Sequence, residues 1–157
     1  MKLKEWLQEW SMSKLRIKSG ILELEFAPND PDKNAAWDLY VELLTRITTQ
    51  PLAEEDGDEK TALDSVYVLF PLTREIIKKY GRFSILFTKI AIVVLNQIVR
   101  PFTAKWHKIS MEGGFKDPRC CQEFRKELSY LQHDLRIYTQ MLANMADVED
   151  LTDIERG

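Results

Sequence analysis

The run FSILFTKIAIVVLNQIV, Phe83 to Val99, sets the tightest limit on what this chain can fold into. Wound as a helix, it is apolar around most of its circumference. Advancing about 100° per residue, Lys89, Asn96, Arg100, Thr103 and His107 fall within roughly 60° of one another. Ile85, Ile90, Val94, Leu95, Ile98, Val99 and Phe102 occupy the rest. A helix with so narrow a polar strip is buried on several sides. The run is about the minimum length that spans a bilayer. It holds Lys89, Asn96 and Gln97, however, and a charge near mid-span is costly in lipid. A central core helix is the reading that follows, with no membrane expected.

Other helices must then surround it. Asp30 and Pro31 open one that Pro51 closes, with Trp37, Tyr40, Val41, Leu44, Ile47 and Thr48 as its inner stripe. A second runs from about Lys60 to Tyr80, kinked at Pro71 and stopped at Gly81. The central helix covers about Arg82 to Ile109. Asp117 and Pro118 open a fourth, in which Phe124, Leu128, Leu131, Leu135, Tyr138, Leu142 and Met145 recur at spacings of four and three. That spacing is a seam for helix-on-helix packing. Between the helices, EEDGDE at Glu54 to Glu59 reads as a solvated acidic loop. Its acids do not alternate as calcium ligands do.

Ahead of them, KLRIKSGILELEF alternates apolar and polar residues about Ser19-Gly20, the pattern of a β-hairpin. Arg16 then faces Glu23 and Lys14 faces Glu25, so opposite charges meet across the strands. The expected architecture is mainly α: a four-helix bundle with a small N-terminal β-hairpin. It forms one domain over 1–157, with the hairpin at about 14–26, the bundle at about 30–146 and an acidic, fraying tail at 147–157.

A chain of 157 residues can bury a real core, and 45% hydrophobic with 30% charged residues is a soluble balance. A net charge of −3 argues against a nucleic-acid binder. Cys120 and Cys121 are adjacent, a poor geometry for a mutual disulfide, so free thiols in a reducing, cytoplasmic setting are expected. With His107 and His133 they match no zinc spacing. At the start of a helix their thiolates would be favoured by the dipole. No catalytic set, metal site or cofactor is expected, and an enzyme is the least favoured class.

Two surfaces remain as candidates. The strip Lys89, Asn96, Arg100, Thr103 and His107 either faces water and pairs with carboxylates, or lines a groove for an anion or an acidic segment. Trp6, Trp10, Arg16 and Glu23, at the N-terminus and on the hairpin, either close the core or meet a partner chain. The pattern N-x-x-x-R-P-F-x-x-x-W-H, here Asn96, Arg100, Pro101, Phe102, Trp106 and His107, resembles a segment of small helical bacterial proteins of uncharacterised function. That resemblance implies a bacterial accessory subunit beside a larger enzyme, a setting that includes anti-phage defence. The function expected is a non-enzymatic protein–protein interaction module, with homo-oligomers allowed. The competing expectation is a sensor that binds a small anion, such as a nucleotide, on the strip.

Overall fold

The computed structural model describes residues 1–52 and 58–155. In chain order they form α1 (Leu3–Glu9), α2 (Ser19–Leu22), α3 (Asp30–Leu44), α4 (Glu59–Tyr67), α5 (Leu69–Tyr80), α6 (Ile85–Val94), a π-helical turn (Leu95–Val99), α7 (Arg100–Met111), a 3₁₀ turn (Gly114–Lys116) and α8 (Pro118–Ala146). Most of the acidic loop expected at Glu54 to Glu59 lies outside the described residues. Its end is in place: Asp58 accepts the Thr61 N–H at 2.9 Å and caps α4.

A four-helix bundle with an N-terminal hairpin is not what forms. Among the described residues there is no strand, and two of the expected long helices are bent groups, α4 with α5 and α6 with α7, while α8 is unbroken. α8 is the spine. α3 packs on α8, α5 and α6, while α4 packs on α7 and α8. The α4–α5 break falls at Val68, three residues before Pro71. The Pro71 ring would clash with the carbonyl four residues back, at Tyr67, so the helix restarts there and the proline lies in the new first turn.

The hairpin fails for a physical reason. Two strands alone are marginal in water, and each half of this segment finds a better partner. Residues 24–26 meet the chain start: Leu3 N–H donates to Leu24 O at 2.8 Å and Phe26 N–H to Met1 O at 2.8 Å, around an isolated bridge between Lys2 and Glu25. Ser19-Gly20 begins one turn of helix instead of a hairpin loop. Glu23 pairs with Lys2 and Lys4, at 2.8 and 3.1 Å, rather than with Arg16.

α3 ends at Leu44, short of Pro51, and its inward face only partly overlaps the expected stripe, with Tyr40, and Thr48 beyond the helix end, buried as expected. Ala35, Ala36, Leu39, Tyr40 and Leu43 are buried, while Trp37 and Val41 lie open. Buried alanines at Ala35 and Ala36 allow close approach of a neighbouring helix, since side-chain size at a contact sets helix separation. Within the described part of the tail, two residues are tied to the bundle. Leu151 N–H donates to the Tyr40 hydroxyl at 2.6 Å, Leu151 packs on the core and Thr152 is buried.

One carboxylate joins two helix starts. Asp32 Oδ2 accepts the Asn29 N–H at 3.1 Å, and Asn29 Oδ1 accepts the Asp32 N–H at 2.9 Å, a reciprocal cap on α3. Asp32 Oδ1 then accepts the Phe87 N–H, in the first turn of α6, at 3.0 Å. Buried Asp32 thus satisfies orphan donors of both helices and fixes where the central helix begins.

Candidate functional site

The central helix is continuous from Ile85 to Met111, but its register changes midway. The buried residues Leu86, Ile90 and Val94 recur every fourth position, and the next fully buried side chain is Val99, five later. The extra residue sits in the π turn, where Arg100 N–H reaches back five residues to Leu95 O. Pro101 has no N–H to give the Gln97 carbonyl, so the regular ladder is already broken there. One inserted residue rotates everything downstream by about 100°.

That rotation splits the expected strip. Lys89 is half-buried, while Asn96, Arg100 and His107 are exposed. Thr103 turns into the core, its hydroxyl within reach of the Val99 and Arg100 carbonyls at 3.4 and 3.2 Å. Arg100 Nε donates to Asn96 Oδ1 at 3.1 Å, and its guanidinium lies 4.7 Å from the centre of the Phe70 ring. Among the described residues Arg100 meets a π face and an amide, and no carboxylate pairs with it. A guanidinium has five N–H donors, and among the described residues only Nε is hydrogen-bonded.

Gln97 was not singled out as a site residue from sequence, and it proves to be the clasp. Its Oε1 accepts the Arg16 N–H at 2.7 Å and its Nε2 donates to the Arg16 carbonyl at 2.7 Å. The side-chain amide thereby replaces the backbone partner that Arg16 would have had in a hairpin. Below it lies a surface groove of about 500 Å³, lined by Lys14, Arg16, Gln97, Ile98, Pro101 and Asp134. Lys14 pairs with Asp134 across it at 2.7 Å. The only sequence sign was an amide one turn before a proline.

The N-terminal tryptophans face inward. Trp6 is 1% exposed, stacks on Phe26 at 4.2 Å and donates Nε1–H to Asn144 Oδ1 at 2.7 Å. Trp10 packs against the core, with its indole N–H enclosed and unbonded. Arg16 is exposed. The tryptophan that reaches solvent is Trp37, 44% exposed. With Val41, Leu72 and Ile76 it lines a groove of about 390 Å³ between α3 and α5, alongside Asp38, Glu42, Glu75 and Lys79. The small side chains at Ala35 and Ala36 were the sequence signal that could have revealed this, because both are buried on a face that leaves Trp37 outside.

At the far end, Trp106, Phe115 and Phe124 form an aromatic knot with edge-to-face contacts of 5.0 to 5.2 Å. Glu127 accepts the Trp106 Nε1–H at 2.6 Å and pairs with Lys105. Among the described residues the buried Tyr138 hydroxyl has no partner, and burial pushes its pKa above the usual phenol range. Among the described residues no three His, Cys, Asp or Glu side chains gather as a metal set.

Compared with protein-family models, curated proteins and solved structures, the chain finds no match.

Proposed function

We propose that the chain is a non-enzymatic interaction module, a subunit that binds another protein through the groove between α3 and α5. The observation that carries this reading is Trp37, 44% exposed beside Val41 over an apolar floor. Tryptophan is enriched among the residues that dominate interface energies, and a groove between helices suits an amphipathic helix laid along it. Three carboxylates, Asp38, Glu42 and Glu75, line the groove against one lysine, Lys79. Asp38 is engaged by Lys79 at 2.9 Å and by the Tyr80 hydroxyl at 2.7 Å, and Glu42 by Arg46 at 2.8 Å. Glu75 is exposed and favours a partner segment carrying lysine or arginine. The test is affinity capture from the native host with wild-type and Trp37→Ala baits of equal thermal stability. Wild type should retain a protein that Trp37→Ala loses. Equal recovery by both, or a monomer that retains nothing, overturns the reading.

A sensor of a small anion is the second reading. Arg100, held by Asn96 and Phe70 with no carboxylate partner among the described residues, supports it. Nucleotides or phosphorylated metabolites should then raise the melting temperature, and Arg100→Ala should abolish the rise. No stabilisation by these anions refutes it.

A further inference from the structure

We propose that the outward face of α6 is a membrane-attachment surface that lies on an anionic bilayer. From Ile76 to Met111 the chain holds seven lysines and arginines and no aspartate or glutamate. The remainder carries fifteen such cations against twenty-five acids. Of the seven, Lys79 pairs with Asp38 and Lys105 with Glu127. Lys78, Arg82, Lys89, Arg100 and Lys108 have no ion-pair partner among the described residues.

The cations alternate with large apolar side chains in the open. Ile85, Lys89, Ile92 and Asn96 recur at spacings of four, three and four, one line along a helix. Ile85 is 52% exposed and Ile92 47%, with Phe83 64% exposed just ahead of the helix. Arg82 lies over the Phe83 ring at 5.1 Å, and Arg100, bonded to Asn96, continues the line. α3 brings Asp30 and Asp32 to the Phe83 end. Asp32 is buried in the two caps, and Asp30 is exposed at the start of α3.

The chemistry favours lipid. Apolar side chains flanked by cations are what an interfacial helix presents, with lysine stems spread along the acyl boundary. Ile85–Met111 is long and apolar enough to cross a membrane, yet Leu86, Phe87, Ile90, Ala91 and Val94 belong to the protein core, so α6 would lie on the surface without crossing it. A symmetric second copy would set Lys89 and Arg100 against like charges. Single-stranded nucleic acid wants a series of aromatic platforms, and this line offers Phe83 with two isoleucines. The surface is separate from the Trp37 groove and stands on its own observations.

The test is flotation of the full chain with vesicles of phosphatidylcholine alone and of phosphatidylcholine mixed with phosphatidylglycerol. Binding should require the anionic lipid and fall with added salt. Lys89→Glu should weaken it about tenfold or more. Ile92→Ser should weaken it about fivefold at unchanged charge, while Lys126→Glu on α8 leaves it intact. Circular dichroism confirms that each variant is folded. Equal binding to neutral vesicles overturns the proposal, as does no binding to anionic ones. An Ile92→Ser variant that binds vesicles and single-stranded RNA as well as wild type makes the face a mere phosphate binder and also overturns it. So does light scattering that shows a dimer broken by Ile92→Ser.

Discussion

Two helices of nearly equal length treat their sequences differently. α8 runs 29 residues and the central helix 27. In α8, Phe124, Leu128, Leu131, Leu135, Tyr138, Leu142 and Met145 are all buried, as their spacing predicts. In the central helix the same spacing rule holds as far as Val94 and then slips by one residue. A hydrophobic period reports a face only while the i to i−4 ladder is unbroken. Pro101 breaks that ladder, and Gln97 stands at the break with its amide turned to Arg16. The regular helix therefore acts as scaffold. The irregular one re-aims its side chains, putting Trp106 into the core and Arg100 outside.

If α8 is the scaffold, its seam should be the costliest place to cut. Phe124 is fully buried and its ring meets Phe102, Trp106 and Phe115. Phe124→Ala should destabilise by about 3–5 kcal/mol in urea unfolding. A loss below about 1 kcal/mol would mean that the aromatic knot collapses around the gap and that α8 is no stiffer than its neighbour.

Next in size is the junction that starts the irregular helix. Asp32→Ala removes acceptors from the first turns of α3 and α6 together, which should cost about 2–3 kcal/mol. Asp30→Ala, at an exposed neighbour outside the cap, should stay within about 0.5 kcal/mol. Equal effects from the two would deny Asp32 its double role.

The clasp should matter less. Gln97→Leu loses both bonds to Arg16 and should cost about 1–2 kcal/mol. Its sharper signature is local: the Arg16 amide should exchange with deuterium faster while the α8 amides keep their protection. Protection lost evenly across the molecule would make Gln97 an ordinary core contact.

What the sequence made legible follows the same division. One helix start was readable because its cap is local: Asp117 with Pro118 opens α8 as its signal predicts, whereas the cap on α3 is Asn29 with Asp32 instead of the expected Asp30, and α4 begins at Asp58, which the sequence reading did not single out. The α8 seam was readable because nothing interrupts it. The hairpin at 14–26 was misread because period-2 alternation is only a propensity, and here tertiary partners override it: the chain start takes residues 24–26 and a glutamine side chain takes Arg16. Thr103 was grouped with Asn96 because a straight helix was assumed. Trp37 is predicted inward by the stripe it shares with Tyr40 and Val41, yet the buried face of α3 is Ala35, Ala36, Leu39, Tyr40 and Leu43. For the hairpin the missing information lay many residues away in sequence, at the chain start and at Gln97, whereas for Thr103 it lay two residues away, at Pro101.

The smallest effect tests the one place where α8 departs from its local reading. A thiol in a helix's first turn is expected to be acidified by the dipole. Cys121 goes the other way: burial raises its pKa above the ordinary value near 9.0, with the Glu59 carboxylate adding to the rise. Its Sγ–H donates to the Phe115 carbonyl at 3.1 Å, a bond made by the protonated form. The sign for stability follows. Above pH about 9 the unfolded thiol ionises while the folded one holds its proton, so the folded state binds more protons and stability falls as pH rises. Below that range the group contributes no slope. Iodoacetamide should alkylate Cys121 more slowly than a free thiol at pH 8, and the rate should climb only above the ordinary thiol range. Glu59→Gln should shift that climb to lower pH. A rate already at its plateau near neutral pH would return control of this site to the helix dipole.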